Sequence, residues 1–327
     1  MKQTTKQLLI GSGAVVAGAA AVGAVSQSIT GFLMKVALDR ELPKVRNFGK
    51  ARAQLSGITG LDSFLELRRK AGKCLKQRNC KEIIIYSYDG AKLVGHWLLH
   101  PHPKRIILAM HGWRSGWAED FGVIADFWDS CGCSVLYAEQ RGQNSSGGNC
   151  MGFGLLERFD CREWLNWICG ENEESLPVYL AGVSMGAATV LMAAGSDLPG
   201  NVRGVIADCA FTSPEAIWRH VAHRNLHLSY RLRRPAVNKI CKKRIRSGAG
   251  DYSTLEALKQ CKVPVLFIHG TDDHFVPVEM TYENYKAYSG PKRLLIVPGA
   301  DHGMSYVVDQ SGYQAAMKDF WSFCEKN

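Results

Sequence analysis

The pentapeptide Gly-Val-Ser-Met-Gly at 182–186 constrains the fold of this chain more than any other feature of its sequence. It follows an apolar run at 178–181, typical of a buried strand, and precedes small residues typical of a helix. A sharp turn between strand and helix strains its central residue, and glycine on both sides avoids clashes with neighbouring elements. The pattern therefore predicts a nucleophilic Ser184 at a helix N-terminus, and an ordinary connection with an incidental serine is the alternative.

A second apolar run, at 105–110, leads into His111, Gly112 and Trp113. It predicts a buried strand that enters a tight loop. An acyl-transfer enzyme needs two fixed N–H donors for the oxyanion of its tetrahedral intermediate. We expect these donors to be the main-chain amides of Trp113 and of Met185, the residue directly after the serine. His111 is interpreted as a structural residue of the loop.

Two later apolar runs end near side chains that could activate the serine. Asp273 follows the run at 263–268, and His302 follows the run at 292–297. Together with Ser184 they supply a nucleophile, an acid and a base in the chain order Ser, Asp, His. In this interpretation His302 takes the serine proton, and Asp273 orients the imidazole.

Two other carboxylates compete with Asp273 for the role of the acid. Asp272 is adjacent to it, and Asp208 ends the apolar run at 202–207. His269, four residues before Asp273, is interpreted as a packing residue. These residue types and spacings leave the choice of acid open.

The chain resembles the α/β-hydrolase superfamily, and within it the serine aminopeptidase, monoglyceride-lipase-like and acyl-peptidase-like bacterial hydrolases. The resemblance covers residues 80 to 325 and rests on five segments: 111–113, 139–142, 182–186, 269–277 and 301–303. It implies a Ser-His-Asp triad whose acid, in the pattern His-Gly-x-x-Asp-x-x-Val-Pro, is Asp273. Asp208 is then interpreted as a structural turn residue.

The match to the superfamily is weakest at 139–146, where relatives commonly carry Asp-x-Arg-Gly-His-Gly-x-Ser. Glu139 replaces the aspartate, and Gln143 and Asn144 replace the His-Gly pair. In the superfamily this loop borders the site without taking part in the chemistry. The departure therefore bears on the shape of the substrate rather than on the reaction.

The alternation of apolar strands and helical segments predicts an α/β protein with the α/β-hydrolase fold, a mostly parallel sheet with helices on both faces. The 327 residues, 46% of them hydrophobic, can form one large core with appendages. We predict a hydrolase domain over 80–327 with a helical cap inserted at about 211–261, a helical lead-in over 37–79 and a membrane anchor over 1–36. The expected crossover helices span 120–129, 155–169 and 278–288, and a last helix spans 310–325.

The stretch from 7 to 34 carries no charged side chain and is long enough to cross a bilayer. It predicts a retained single-pass anchor, and a cleaved signal peptide is the alternative. More cations follow the stretch than precede it, and the 11 cysteines form no recognisable disulfide framework. Both features favour a cytoplasmic catalytic domain, whereas the short basic N-terminus favours export. The side of the membrane stays open.

The predicted cap is strongly basic, and no acidic residue lies between Trp218 and Asp251. Its cations are Arg219, Arg224, Arg231, Arg233, Arg234, Lys239, Lys242, Lys243, Arg244 and Arg246. They predict either a solvated lid or a lid that approaches anionic lipid headgroups or acidic substrates. No nucleic-acid-binding motif accompanies them, and neither a metal site nor a cofactor is expected.

Three classes of function agree with these patterns. The first is a serine hydrolase that cleaves carboxylic esters, thioesters or small peptides or amides. The second is a lipase or thioesterase that works at a membrane surface, and the third is a non-catalytic binding protein with a hydrolase fold. Esterases and peptidases use the same triad, so the motifs do not distinguish their substrates.

Overall fold

The computed structural model describes residues 27–42 and 61–326. They form an eight-stranded sheet in the spatial order β1-β2-β4-β3-β5-β6-β7-β8. Strand β2 is antiparallel to both of its neighbours, and the remaining neighbours are parallel. The strands are β1 Lys81–Tyr86, β2 Lys92–Leu98, β3 Arg105–Met110, β4 Cys133–Ala138, β5 Val178–Val183, β6 Val202–Asp208, β7 Val265–Gly270 and β8 Lys292–Val297.

Helices connect most of the parallel strands. The first, α1, covers 27–38. The others are α2 Leu61–Lys76, α3 Trp117–Phe121, α4 Ala125–Ser130, α5 Glu157–Glu171, α6 Met185–Ala193, α7 Pro214–His220, α8 Tyr230–Ile245, α9 Thr254–Gln260, α10 Val278–Ala287, α11 Ser305–Val308 and α12 Gln310–Lys326. A short π-helix, Val221–Asn225, follows α7.

The sheet is buried on both faces, as the continuous apolar runs predict. Every residue of β3 and β4 is buried. Alternate residues of β3 point to opposite faces, so Leu108 belongs to one apolar cluster and Ile107 to another. The predicted architecture of a mostly parallel sheet between two helical layers is therefore confirmed, and the carboxyl ends of the parallel strands share one edge.

The helix predicted over 120–129 is wrong in its extent, because two short helices, α3 and α4, take its place. The break lies at Gly122, which packs directly on α2. A Cβ atom at this position would lie 2.6 Å from the main chain of Ala71 and Gly72. The predicted helices at 155–169, 278–288 and 310–325 correspond to α5, α10 and α12, with boundaries that differ by at most two residues.

The insertion between β6 and β7 forms the cap, which consists of α7, the π-helix, α8 and α9. Val237, Cys241 and Ile245 lie on one side of α8 and are buried in a third apolar cluster. That cluster also contains Met185, the residue after the proposed nucleophile. The cap therefore packs over the carboxyl-terminal edge of the sheet.

Helix α1 packs against the same cluster through Met34 and Leu38, and its Thr30 is also buried. Residues 27–36, which the sequence assigns to the membrane anchor, thus belong to a helix that lies on the domain that contains the sheet. Within 27–42 and 61–326, no helix has both the length and the hydropathy that a bilayer span requires. The rest of the predicted anchor lies outside the described residues.

Candidate active site

Ser184 occupies a sharp turn between β5 and α6, with φ 55° and ψ −116°. This is a strained conformation for a residue with a side chain. A Cβ atom at Gly186 would lie 1.8 Å from the carbonyl oxygen of Met110, and one at Gly182 would lie 2.3 Å from the main chain of Gly186. The amide of Ser184 donates to the carbonyl of Asp208 at 2.9 Å. Close packing on both sides therefore holds the strained turn.

His302 lies within hydrogen-bonding distance of both Ser184 and Asp273, the other two residues that the sequence selects. Nε2 of His302 lies 2.8 Å from Oγ of Ser184, and Nδ1 of His302 lies 2.7 Å from Oδ2 of Asp273. A carboxylate accepts hydrogen bonds only, so the neutral imidazole carries its proton on Nδ1. Nε2 is then free to accept the proton of the serine hydroxyl.

Four hydrogen bonds converge on the carboxylate of Asp273. Oδ1 accepts from the amides of Phe275 at 2.9 Å and Val276 at 2.7 Å. Oδ2 contacts His302 and also Nε2 of His269, at 3.1 Å. Burial by itself raises the pKa of the Asp273 carboxyl, but the charge of His302 and the donors on both histidines outweigh burial and hold the pKa below its usual range. Asp273 is therefore ionised at neutral pH.

His269 contacts the carboxylate of Asp273. The sequence analysis interprets His269 as a packing residue and does not predict this contact. Its Nε2 faces two acceptors, Asp273 and the carbonyl of Val276 at 2.9 Å. Nε2 must therefore carry a proton, and Nδ1 then accepts from the hydroxyl of Thr281 at 2.6 Å. The two residues are four positions apart across a turn, and this spacing in the sequence could have predicted the contact.

The same ion pair shifts the titration of His302. Burial by itself lowers the pKa of an imidazole, but the charge of Asp273 and the neighbouring thiol of Cys209 raise it, and the net pKa lies well above the ordinary value. The carboxylate of Asp273 thus favours the protonated form of the His302 imidazole. Phe275 packs edge-on against the ring of His302, with 5.1 Å between the centroids.

Neither competing carboxylate reaches the histidine in this arrangement. Asp208 accepts hydrogen bonds from the hydroxyls of Ser305 and Tyr313, each at 3.2 Å, and burial raises its pKa to about 6. Asp272 is exposed and accepts from the hydroxyl of Thr271 at 2.7 Å. The geometry therefore favours Asp273 as the acid.

The proposed oxyanion donors flank Ser184. The amide of Met185 is the first of α6 and so lacks a carbonyl partner within the helix. The loop that carries Trp113 approaches from the other side: a Cβ atom at Gly112 would lie 3.5 Å from Cβ of Ser184. His111 is buried and accepts from the amide of Gln140 at 3.0 Å, and burial lowers its pKa to about 4. His111 is thus a neutral structural residue of the loop.

The loop at 139–146 supports the loop that follows β3. Glu139 contacts Nε2 of His96 at 2.8 Å, and Gln143 accepts from the amide of Arg114 at 2.5 Å. Gln143, one of the departures from the superfamily pattern, thus holds the residue next to Trp113. The glutamine at 143 therefore helps to position the loop that carries Trp113. The sequence alone did not indicate this role.

An aromatic wall borders the site on the side of the cap. Phe153 contacts Trp113 with a centroid distance of 6.0 Å, Trp218 at 5.0 Å and Phe211 at 6.0 Å. Trp117, by contrast, stacks on the imidazole of His96 on another face of the sheet.

Cys209, Asp273 and His302 are the described side chains that lie close enough together to hold a metal ion, with their ligand atoms within 4.8 Å of one another. Two of them already form the histidine–carboxylate pair. Burial raises the pKa of the Cys209 thiol to about 11, so the thiol stays neutral at physiological pH. We therefore assign the trio to the serine site rather than to a metal.

The chain is similar in sequence to known proteins. The family model described as serine aminopeptidase, S33, matches residues 101–249. Protein YqkD of Bacillus subtilis is 28% identical over 320 residues, which cover 96% of this chain and 97% of YqkD. The match of the family model includes Ser184 and ends before Asp273 and His302.

Two solved structures show the same fold. The esterase Pf2001 of Pyrococcus furiosus has a TM-score of 0.62 and 21% identity, over 75% of this chain and 91% of that chain. Est1E from Butyrivibrio proteoclasticus has a TM-score of 0.56 and 17% identity, over 75% of this chain and 99% of that chain. The predicted α/β-hydrolase fold is therefore confirmed.

Proposed function

We propose that this chain cleaves carboxylic esters or small amides through an acyl-enzyme on Ser184, a reaction that suits its α/β-hydrolase fold and its match to the serine aminopeptidase family model. The observation that carries the proposal is the continuous series of hydrogen bonds from Ser184 through His302 to Asp273, at 2.8 and 2.7 Å. A non-catalytic binding protein would not require this series together with a strained serine.

In the acylation step, Oγ of Ser184 attacks the carbonyl carbon while Nε2 of His302 takes the hydroxyl proton. The negative charge that develops on the carbonyl oxygen is stabilised by the amides of Trp113 and Met185. The intermediate collapses when the bond to the leaving group breaks. The leaving alcohol or amine then takes the proton from His302, and an ester of Ser184 remains.

Deacylation repeats the sequence with water as the nucleophile. His302 takes a proton from the water molecule, whose oxygen attacks the acyl carbon, and the proton returns to Oγ of Ser184 as the acid product leaves. Asp273 remains ionised throughout and stabilises the imidazolium in both steps. The Phe275 ring beside His302 helps to exclude bulk water from this pair.

The acyl group of the substrate is apolar in this proposal. Trp113, which would supply an oxyanion donor through its amide, also presents its ring to the aromatic wall of Phe153, Phe211 and Trp218. Such a wall favours aliphatic or aromatic acyl groups over charged ones. Esters with medium acyl chains are therefore the preferred test substrates.

The test is a set of p-nitrophenyl esters of increasing acyl length and a set of aminoacyl anilides, assayed with wild-type protein and Ser184→Ala. We expect hydrolysis of at least one series and a loss on the order of 10⁶ in kcat for Ser184→Ala. A fluorophosphonate should label the wild type and leave the variant unlabelled. A folded wild-type protein without hydrolysis or labelling would exclude the proposed function.

A second candidate function, hydrolysis at an anionic lipid surface, is favoured by the outer side of α8. Arg234 and Arg244 form ion pairs with Glu215 and Asp39, and the six other exposed residues of α8 lie within an arc of about 120°, opposite the buried side. This cap stripe consists of Arg231, Leu232, Pro235, Lys239, Lys242 and Lys243, all exposed. Leu232 is 79% exposed among the cations, an arrangement that suits insertion between lipid headgroups.

Vesicles of phosphatidylglycerol and of phosphatidylcholine test this candidate. We expect the protein to sediment with the anionic vesicles at low salt, and the triple variant Lys239→Glu, Lys242→Glu, Lys243→Glu to lose this binding. The matched control reverses three exposed cations of α2, Arg69, Lys70 and Lys73. If both triple variants bind the anionic vesicles equally well, the cap stripe has no specific role in lipid binding.

A further inference from the structure

The loop that carries Trp113 is fixed on both sides of this residue. The amide of Gly112 donates to Oδ2 of Asp120 at 2.6 Å, and the amide of Arg114 donates to Oε1 of Gln143 at 2.5 Å. Arg114 has φ 50°, a conformation that a residue with a side chain adopts only when its surroundings hold it there. The direction of the Trp113 amide depends on this strained turn.

The side chains of the same loop bind the carboxyl-terminal end of α1. Nη2 of Arg114 donates to the carbonyls of Val36 at 2.7 Å and Asp39 at 2.5 Å, and Nη1 donates to that of Arg40 at 3.2 Å. Nε1 of Trp113 donates to the carbonyl of Ala37 at 2.9 Å. The last carbonyls of a helix lack donors within the helix and carry partial negative charge, so a guanidinium suits them.

Helix α1 is itself held firmly on the domain. The carbonyl of Leu38 accepts from the amide of Met151 at 2.7 Å, and the side chain of Leu38 is fully buried. Asp39 pairs with Arg244 of the cap, and Met34 lies in the cluster that contains Met185. The helix therefore offers a fixed set of acceptors against which the loop can be positioned.

We propose that Arg114 is a positioning residue for catalysis, and that the carboxyl-terminal end of α1 is the element on which it acts. The guanidinium binds the helix carbonyls, holds Arg114 in its strained conformation and so directs the adjacent Trp113 amide at the oxyanion. The inference rests on the proposed function, because Arg114 positions the amide that stabilises the oxyanion in that reaction. Helix α1 then contributes to catalysis through the position that it gives to the Trp113 amide.

The test compares Arg114→Met with wild type on the preferred p-nitrophenyl ester. We expect kcat to fall about 10- to 100-fold with little change in KM, because an oxyanion donor acts in the transition state and not in substrate binding. Affinity for a trifluoromethyl ketone, which forms a tetrahedral adduct, should fall in parallel with kcat/KM. A purely structural role for Arg114 would not produce this parallel loss.

Trp113→Phe provides a milder second variant, because it removes the indole N–H that binds Ala37 and keeps the main-chain amide. We expect a three- to tenfold loss of kcat, and this variant decides the question if Arg114→Met does not fold. Arg69→Met, an exposed cation of α2, is the control for loss of charge. An active wild type with kcat unchanged in the folded variants would overturn this inference alone, whereas an inactive wild type would overturn the proposed function.

Discussion

His269 and His302 contact the same carboxylate oxygen, Oδ2 of Asp273, at 3.1 and 2.7 Å. One histidine faces the serine, and the other is completely buried beneath the acid. His269 thus helps to fix the carboxylate oxygen that His302 contacts. The carboxylate is held by side chains as well as by the amides of the turn, and this arrangement limits its movement when the imidazole becomes charged.

The contact of His269 gives a first prediction. His269→Leu should reduce kcat/KM about tenfold, because the carboxylate loses one of the donors that fix it. Loss of a donor also leaves more negative charge on Asp273, so the acid limb of the pH profile of kcat/KM should move to higher pH. Thr281→Val, which removes the hydroxyl behind His269, should shift the profile in the same direction by less. An unchanged profile in the folded His269→Leu protein would show that the contact has no effect on the pair.

The choice of Asp273 as the acid gives a second prediction. Asp273→Asn should lower kcat by a factor on the order of 10⁴, because the amide favours the wrong tautomer of His302. Asp272→Asn is the matched control, since this neighbour is exposed and lies outside the hydrogen-bonded series. Its kcat should stay within about twofold of wild type. A larger loss for Asp272→Asn than for Asp273→Asn would reverse the assignment.

The pH dependence of kcat/KM gives a third prediction. His302 acts as a base only in its neutral form, and the charge of Asp273 raises its pKa above the ordinary value. Activity should therefore rise with pH through a midpoint above that of an ordinary imidazole, about 6.5. In Asp273→Asn the midpoint of the residual activity should move down. A wild-type midpoint below the ordinary value would contradict the stabilisation of the imidazolium.

The glycines of the turn at Ser184 give a fourth prediction. Gly186→Ala would bring a Cβ atom to 1.8 Å from the carbonyl oxygen of Met110, the last residue of β3. Because main chain cannot move aside cheaply there, the free energy of unfolding should fall by about 3 kcal/mol. At Gly170 of α5 a Cβ atom would meet no atom within 4 Å. Gly170→Ala should instead stabilise the protein by about 0.5–1 kcal/mol. Denaturant unfolding of the two variants provides the comparison.

The convergence of Ser184, His302 and an acid could be predicted from sequence because each follows an apolar run within a few positions, whereas the choice of Asp273 as the acid came from the resemblance to the superfamily. Parallel strands bring their carboxyl ends to one edge of the sheet, so Ser184, Asp273 and His302 converge once the runs are recognised as neighbouring strands. The glycines at 182 and 186 add a steric requirement that is itself local. These parts of the site needed no knowledge of distant contacts.

The contacts that hold the loop of Trp113 in place could not be predicted in the same way. Arg114 donates to the main-chain carbonyl of Val36, which is 78 positions away in the sequence. Every residue has a main-chain carbonyl, so the sequence does not identify this acceptor. The charge-free stretch before Lys35 favoured a membrane span, whereas its last residues pack on the domain through Met34. The break at Gly122 likewise depends on the approach of α2, a tertiary contact that helical periodicity does not include.

The central claim, a covalent acyl group on the serine, is tested most directly by acid quenching during turnover. Wild-type protein mixed with an excess of a p-nitrophenyl ester is quenched within the first turnovers, digested and analysed by mass spectrometry. We predict one acyl group per chain at most, located on Ser184, with a burst of p-nitrophenol of matching amplitude. Hydrolysis without any acylated Ser184, or with the acyl group on Cys209, would contradict the account.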